Sequence, residues 1–271
     1  MQKIVNSDLQ QEKIILQSYR KALSLIFLVI LLSIPDYAQA ILRPFLTTES
    51  AVPLERGQTK LETGLKYERF SSSGKIYSLN AELTTGIINN LEFLVDVPLI
   101  FKRIEDDNTE GLGDLKMKAK LRFLKGREAT PASIAGQLII KFPSGDSTRG
   151  LGTGEADVGL QLIASEEFPL ITVHLNLGYT FMGNQPGREF RDILNYSLAF
   201  EYEALPNTLK LVGELTGHRQ EDPSISGDPL NLLAGIAHRL DKQIVVDAGL
   251  AVGLTPRSPD FTINVGMTYN F

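Results

Sequence analysis

Cysteine and tryptophan are both missing from the 271 residues. Without cysteine there is no disulfide, no Cys-based zinc site and no thiol catalysis. Histidine is scarce: His174, His218 and His238 are the three copies, far apart in the chain. Basic residues are in deficit, with 27 Lys and Arg against 32 Asp and Glu and a net charge of −5. A nucleic-acid partner would need a basic patch or stripe on the domain surface, and this balance offers none. Long apolar runs are also lacking. The longest, Leu23 to Ile34, falls short of the roughly 20 residues that a spanning helix needs. It has the form of an export signal instead, with Arg20 and Lys21 before it and Ala38-Gln39-Ala40 after it. We therefore expect residues 1–40 to be a cleavable signal peptide with an extended n-region. Residues 41–59 are then a periplasmic N-terminal lead, and 60–271 the folded domain.

No helical period follows Ala40; what is there is a period of two. The chain ends "DFTINVGMTYNF", with Phe261, Ile263, Val265, Met267, Tyr269 and Phe271 alternating with Thr262, Asn264, Gly266, Thr268 and Asn270. A strand shows such sets to opposite sides. Twelve stretches of this kind, each about ten residues long, run from 60–69 to 260–271. That is the length at which a tilted strand crosses a bilayer. Tight turns such as 89–90, 166–169, 205–207 and 241–242 alternate with longer polar loops at 103–113, 143–154 and 218–228. Short turns on one side and long loops on the other describe an outer-membrane barrel with its short side in the periplasm. Aromatic residues gather near both strand ends: Tyr67, Tyr77, Phe101, Phe142, Tyr179, Phe181, Phe190 and Phe261 at the long-loop end, and Phe93, Phe123, Phe168, Phe200, Tyr202, Tyr269 and Phe271 at the other. Two such girdles bracket a lipid-facing band. The fold expected is an all-β transmembrane antiparallel barrel of about twelve strands. A secreted sandwich or lipocalin-like barrel also alternates, with the faces reversed, and alternation by itself does not separate the two.

The polar faces carry the candidate site. Glu62, Lys66, Glu68, Glu82, Glu92 and Asp96 come from the first three strands, Lys116, Lys118, Lys120 and Arg122 from the fourth, and Lys141 from the fifth. A Lys or Arg facing lipid at mid-membrane costs about 2–4 kcal/mol, so these charges belong inside the barrel. There they form an acidic wall beside a basic one. Glu92, Asp96, Lys116, Lys118, Lys120, Arg122 and Lys141 are the expected lumen-lining, selectivity-setting residues. They either line a channel or fill the lumen with an ion-pair lattice. Tyr269 and the terminal Phe271 resemble the signal by which barrel-assembly machinery recognises outer-membrane proteins.

Other motifs read blandly. Gly111 and Gly113, and Gly150, Gly152 and Gly154, fit neither phosphate-loop pattern, and no helix follows them. The acidic 105–110 lacks a calcium-loop pattern. A lipid-facing Ser/His pair would suggest a phospholipase, but His238 has lipid-facing parity and Ser197 does not, while His174 faces the lumen. No enzyme, cofactor or metal is expected.

Residues 43–69, 111–124 and 141–160 ("RPFLTTESAVPLERGQTKLETGLKYER", "GLGDLKMKAKLRFL", "KFPSGDSTRGLGTGEADVGL") resemble the MetA-pathway-of-phenol-degradation family of outer-membrane transporters. The resemblance implies a β-barrel that moves small hydrophobic or aromatic compounds, and carries no catalytic residues with it. The expected function is passive passage of an unidentified small solute. The alternatives are a non-conducting structural or interaction barrel and, further off, a lipid-hydrolysing membrane enzyme. Expected partners are outer-membrane lipid and lipopolysaccharide, the assembly machinery and the solute.

Overall fold

A computed structural model describes residues 47–71, 74–104, 107–126, 132–184 and 190–271. The expected signal peptide lies outside the described residues. The strands are β1 (Thr59–Phe70), β2 (Gly74–Ile88), β3 (Leu91–Ile104), β4 (Asp107–Leu112), β5 (Lys116–Leu124), β6 (Ala132–Lys141), β7 (Asp157–Glu167), β8 (Ile171–Phe181), β9 (Ile193–Leu205), β10 (Leu209–His218), β11 (Leu230–Arg239), β12 (Ile244–Gly253) and β13 (Phe261–Asn270). Each pairs antiparallel with its neighbours, and β1 pairs with both β2 and β13. Leu61 stands opposite Tyr269 and Leu65 opposite Val265 at the closure. The ring therefore has no free edge, as a sheet surrounded by lipid requires.

Thirteen segments make twelve staves, because β4 and β5 share β3. β4 pairs with Leu99–Ile104 and β5 with Leu91–Asp96. Between them, the Gly113 amide donates to the Pro98 carbonyl at 2.9 Å. This corrects two expectations. The fourth strand begins at Lys116 rather than 113. Much of the 103–113 loop is a paired hairpin that extends β3 and β4 beyond the ring.

The two faces of each strand settle what alternation left open. On β8, Leu175 and Leu177 are 55% and 51% exposed, while His174 and Asn176 between them are 5% and 1% exposed. The same holds on β13, where Val265 and Met267 are exposed and Asn264 and Thr268 buried. The apolar side chains point outward and the polar ones inward, the reverse of a soluble barrel. In water, each large apolar side chain so displayed would forfeit about 1.5–3 kcal/mol of burial; in hydrocarbon it does not. Tyr67, Tyr77 and Phe261 form a ring contact at the long-loop end, with centroids 4.9 and 5.8 Å apart. Phe123, Phe168, Phe200 and Tyr202 are exposed at the short-turn end. Phe190 departs from the expected girdle: it is buried.

The interior holds a further difference from expectation. The described part of the expected periplasmic lead does not lie outside the barrel. Residues 47–54 sit within the ring, hydrogen-bonded to side chains of β10, β8, β7 and β3. The lead leaves the ring against Gly86 of β2, where a Cβ would stand 2.0 Å from the Glu55 carbonyl oxygen. The Gly57 amide donates to the Gly86 carbonyl and the Gly86 amide to the Gln58 carbonyl, both at 2.9 Å. These two bonds turn the chain into β1.

Candidate functional site in the barrel lumen

The lead is read by the wall one polar group at a time. The Thr48 amide donates to Glu214 Oε1 at 2.7 Å, and the hydroxyls of Thr47 and Thr48 converge on the same carboxylate. Glu214 lies mid-strand in β10, so the lead reaches half the height of the lumen. The Glu49 amide donates to Asn176 Oδ1 at 2.7 Å, and Asn176 Nδ2 donates back to the Glu49 carbonyl at 2.9 Å. The Ala51 amide donates to Ser165 Oγ at 2.8 Å. The Leu54 amide donates to Glu92 Oε2 at 2.6 Å, near the short-turn end. A backbone without sheet partners must be satisfied somehow if it is buried, and here inward side chains of four strands do it. Apolar packing contributes little: Ala51 meets Ala135 and Ile163 in one small buried cluster.

Charge follows the same line. Lys118 donates to Glu49 Oε1 at 3.1 Å and lies 3.6 Å from Glu82. Lys120 lies 2.6 Å from Glu92 and 3.5 Å from Glu49, with its side chain fully buried. The Glu49 carboxylate thus bridges two rungs of the basic stripe, and Glu92 holds both Lys120 and the Leu54 amide. Removing one member of such a buried set typically costs about 3–5 kcal/mol, because the rest are stranded. Below them Lys60, also buried, pairs with Glu62.

A second network runs across β7, β8, β9 and β10. Ser165 Oγ and His174 Nδ1 are 2.7 Å apart. His174 Nε2 is 3.5 Å from Glu201 Oε1, and Lys210 donates to Glu201 Oε2 at 2.6 Å. The Ser/His/carboxylate order resembles a hydrolase triad, but Ser165 Oγ already accepts the Ala51 amide and is buried beneath the lead. The arrangement works as a latch on the lead. Among the described residues, no three potential metal ligands cluster.

At the long-loop rim, Lys141 lies between Asp114 at 3.3 Å and Asp157 at 2.5 Å. Asp114, at the β4–β5 break, accepts the amides of Gly145 and Thr153 at 2.9 and 3.0 Å and so pins the 143–154 loop inward. Gly152 lies so close that a Cβ would stand 2.2 Å from Asp114 Oδ1. At the loop tip the Asp146 carboxylate accepts the Thr148 hydroxyl at 2.6 Å, which together with backbone bonds holds its pKa below the usual value.

The structure thus draws Glu92, Lys118 and Lys120 together through the lead. Asp96 is buried one rung higher and accepts Asn80 Nδ2 at 3.2 Å. Lys116 faces water inside the lumen, Lys141 belongs to the rim, and Arg122 bonds the Asn89 carbonyl at a short turn, apart from the rest. Tyr269 and Phe271 are half-buried at the short-turn end. Sequence reasoning missed Glu49, Ser165, Glu201 and Glu214 as a group.

The family described as "Putative MetA-pathway of phenol degradation" matches residues 43–271. No curated protein matches the sequence. Among solved structures, the COG4313 outer membrane channel from Pseudomonas putida is 16% identical, with a TM-score of 0.68 over 83% of this chain and 100% of that one. The KdgM porin is 10% identical, with a TM-score of 0.54 over 78% of this chain and 99% of that one. At these identities the likeness is one of fold, an outer-membrane barrel.

Proposed function

We propose that this chain, which belongs to that family, is an outer-membrane channel for small solutes, held shut by its own residues 47–54. One observation carries the reading. The lead fills the lumen from mid-height to the short-turn end through polar contacts that water can replace, rather than through a packed apolar core. The bonds to Asn176 and Ser165 contribute about 0.5–1.5 kcal/mol net each, and those to the Glu214 and Glu92 carboxylates about 1.5–3 kcal/mol. A segment held this way has an accessible displaced state, and a solute or field that favours that state shifts the population towards it. We place the short turns in the periplasm on the grounds of loop length. The lead then enters from the periplasmic side, and the pinned 143–154 loop narrows the outer mouth.

The solutes implied by the family resemblance are small and apolar or aromatic. The upper lumen offers them partly accessible apolar side chains on inward register positions: Ile76, Pro98, Ile100, Ile139 and Ile193. The absence of native cysteine makes a reversible test available. In liposomes, an Ala51→Cys/Ser165→Cys variant should admit a small aromatic solute when reduced and exclude it when oxidised. Equal uptake in both states, or none in either, would overturn the reading.

A further inference from the structure

Glu214 is a carboxylate at mid-lumen, 1% exposed, that no cation of the wall answers. Elsewhere lysines meet the inward carboxylates: Lys60 meets Glu62, Lys66 meets Glu68, and Lys118 meets both Glu49 and Glu82. The inward cation nearest to Glu214 along β10 is Lys210, four residues away and so about 13 Å along the strand. It is already held by Glu201 at 2.6 Å. Among the described residues, Glu214 has no ion pair. Its partners are the amides and hydroxyls of Thr47 and Thr48, four neutral donors from two consecutive residues of the lead.

The wall on either side of this carboxylate is apolar. In register, Ala199 of β9 and Leu233 of β11 stand directly opposite Glu214, and both are buried. Side chains so opposed have Cβ atoms about 4.5–5.5 Å apart. Val212 is the next inward residue of β10, and it packs with Leu233 and Ala251 in one buried cluster. A buried charge is costly unless it is paired and hydrogen-bonded. The lead supplies the hydrogen bonds but no opposite charge. When Thr47 and Thr48 move away, the carboxylate loses all four donors while its apolar surroundings stay.

We infer that Glu214 is a binding site for small organic ammonium ions with an apolar body, which take the place of Thr47 and Thr48. An ammonium group brings three N–H donors and the missing charge in one, and its apolar body lies against Leu233 and Val212. A bare metal ion fits poorly, because hard cations take several oxygen ligands and no such cluster occurs among the described residues. Thr47 is exposed, so a solute coming down the lumen meets this end of the lead first. Its arrival removes the uppermost described attachment of the lead and weakens the plug. The inference rests on the channel reading for that last step; the binding itself is a matter of equilibrium at one carboxylate.

The test titrates refolded full-length protein with benzylamine, protonated at neutral pH, and with benzyl alcohol, its uncharged counterpart. The ammonium should bind roughly tenfold more tightly, the scale on which a charge-assisted hydrogen bond exceeds a neutral one. Glu214→Gln should abolish that preference while the barrel keeps its heat-modifiable folded form. Glu110→Gln, at an exposed ion pair on the β3–β4 hairpin, should leave it intact. Thr47→Val/Thr48→Val removes two competing hydroxyls, leaves the wall untouched and should tighten benzylamine binding several-fold; it decides the matter should Glu214→Gln fail to fold. Equal affinity for the two compounds, no binding of either, or an undiminished preference in Glu214→Gln would overturn the site. An unchanged benzylamine affinity in the threonine variant would overturn the exchange with the lead. None of these results depends on conductance: an ammonium that binds as described to a barrel that never conducts would leave the site standing and refute the channel reading.

Discussion

The two halves of the lumen are built from the same alternating strands and end up unlike. In the short-turn half, charges are buried, paired and shared with the lead: Lys60, Glu92 and Lys120 are each 1% exposed. In the long-loop half, Lys66 and Lys116 meet water, and the inward apolar residues are partly accessible. Part of the difference comes from the strands, which place apolar residues such as Ile76, Pro98, Ile100, Ile139 and Ile193 on inward positions of the long-loop half. The rest comes from the lead, whose residues 47–54 occupy the lower half and reach Glu214 at mid-height. A charge in the lower half therefore bears on stability, and a charge in the upper half on what enters.

That contrast can be broken most severely at Lys120. Lys120→Met removes the buried cation that Glu92 and Glu49 share and should destabilise the barrel by about 3–5 kcal/mol, read as a lower heat-modification temperature. Ser165→Ala comes next. It leaves the buried Ala51 amide without its acceptor, worth about 1–3 kcal/mol, and hydrogen exchange at the lead should rise while exchange at β8 and β9 holds. Phe271 tests assembly rather than stability. Its deletion should lower the amount of folded barrel reaching the outer membrane, whereas lipid-facing Leu175→Ala should do far less. Normal assembly of the deletion would refute the terminal-signal reading. Lys116→Gln should change stability by no more than about 1 kcal/mol, as for an exposed charge, and an effect near that of Lys120→Met would erase the distinction between the halves. The smallest effect is expected at Asp146. Its carboxyl is held below the ordinary value by Thr148, so the ordering of the loop tip is present at neutral pH and lost as the pH falls through that lowered value. Exchange of the Thr148 and Arg149 amides should rise only in that acid range.

How much of this was legible in the sequence depended on range. Strand positions followed from the period of two, which is local, and each of the twelve expected stretches overlaps its stave. The long polar run at 103–113 concealed a hairpin because Asp, Asn and Gly are poor strand formers and pair there only as an extension of β3. Inside and outside could not be told from alternation, since a sandwich and a membrane barrel share it; the burial of His174 and Asn176 against the exposure of Leu175 and Leu177 decides the matter. Ser165 and His174 stand opposite each other in the β7–β8 register, so the 166–169 turn could have disclosed that pair once its register was known. The lead was the real loss. Its eight residues have no period, and its hydrogen bonds to the wall span 38 to 167 positions of sequence, beyond the reach of any local pattern.

The central claim, that residues 47–54 close an otherwise passable barrel, is tested most directly by single-channel conductance of the full chain beside a variant lacking 47–53. The full chain should show a closed baseline with rare openings, and the shortened chain a sustained current through the same barrel. A shortened chain that folds and stays silent would contradict the claim and leave a structural barrel in its place.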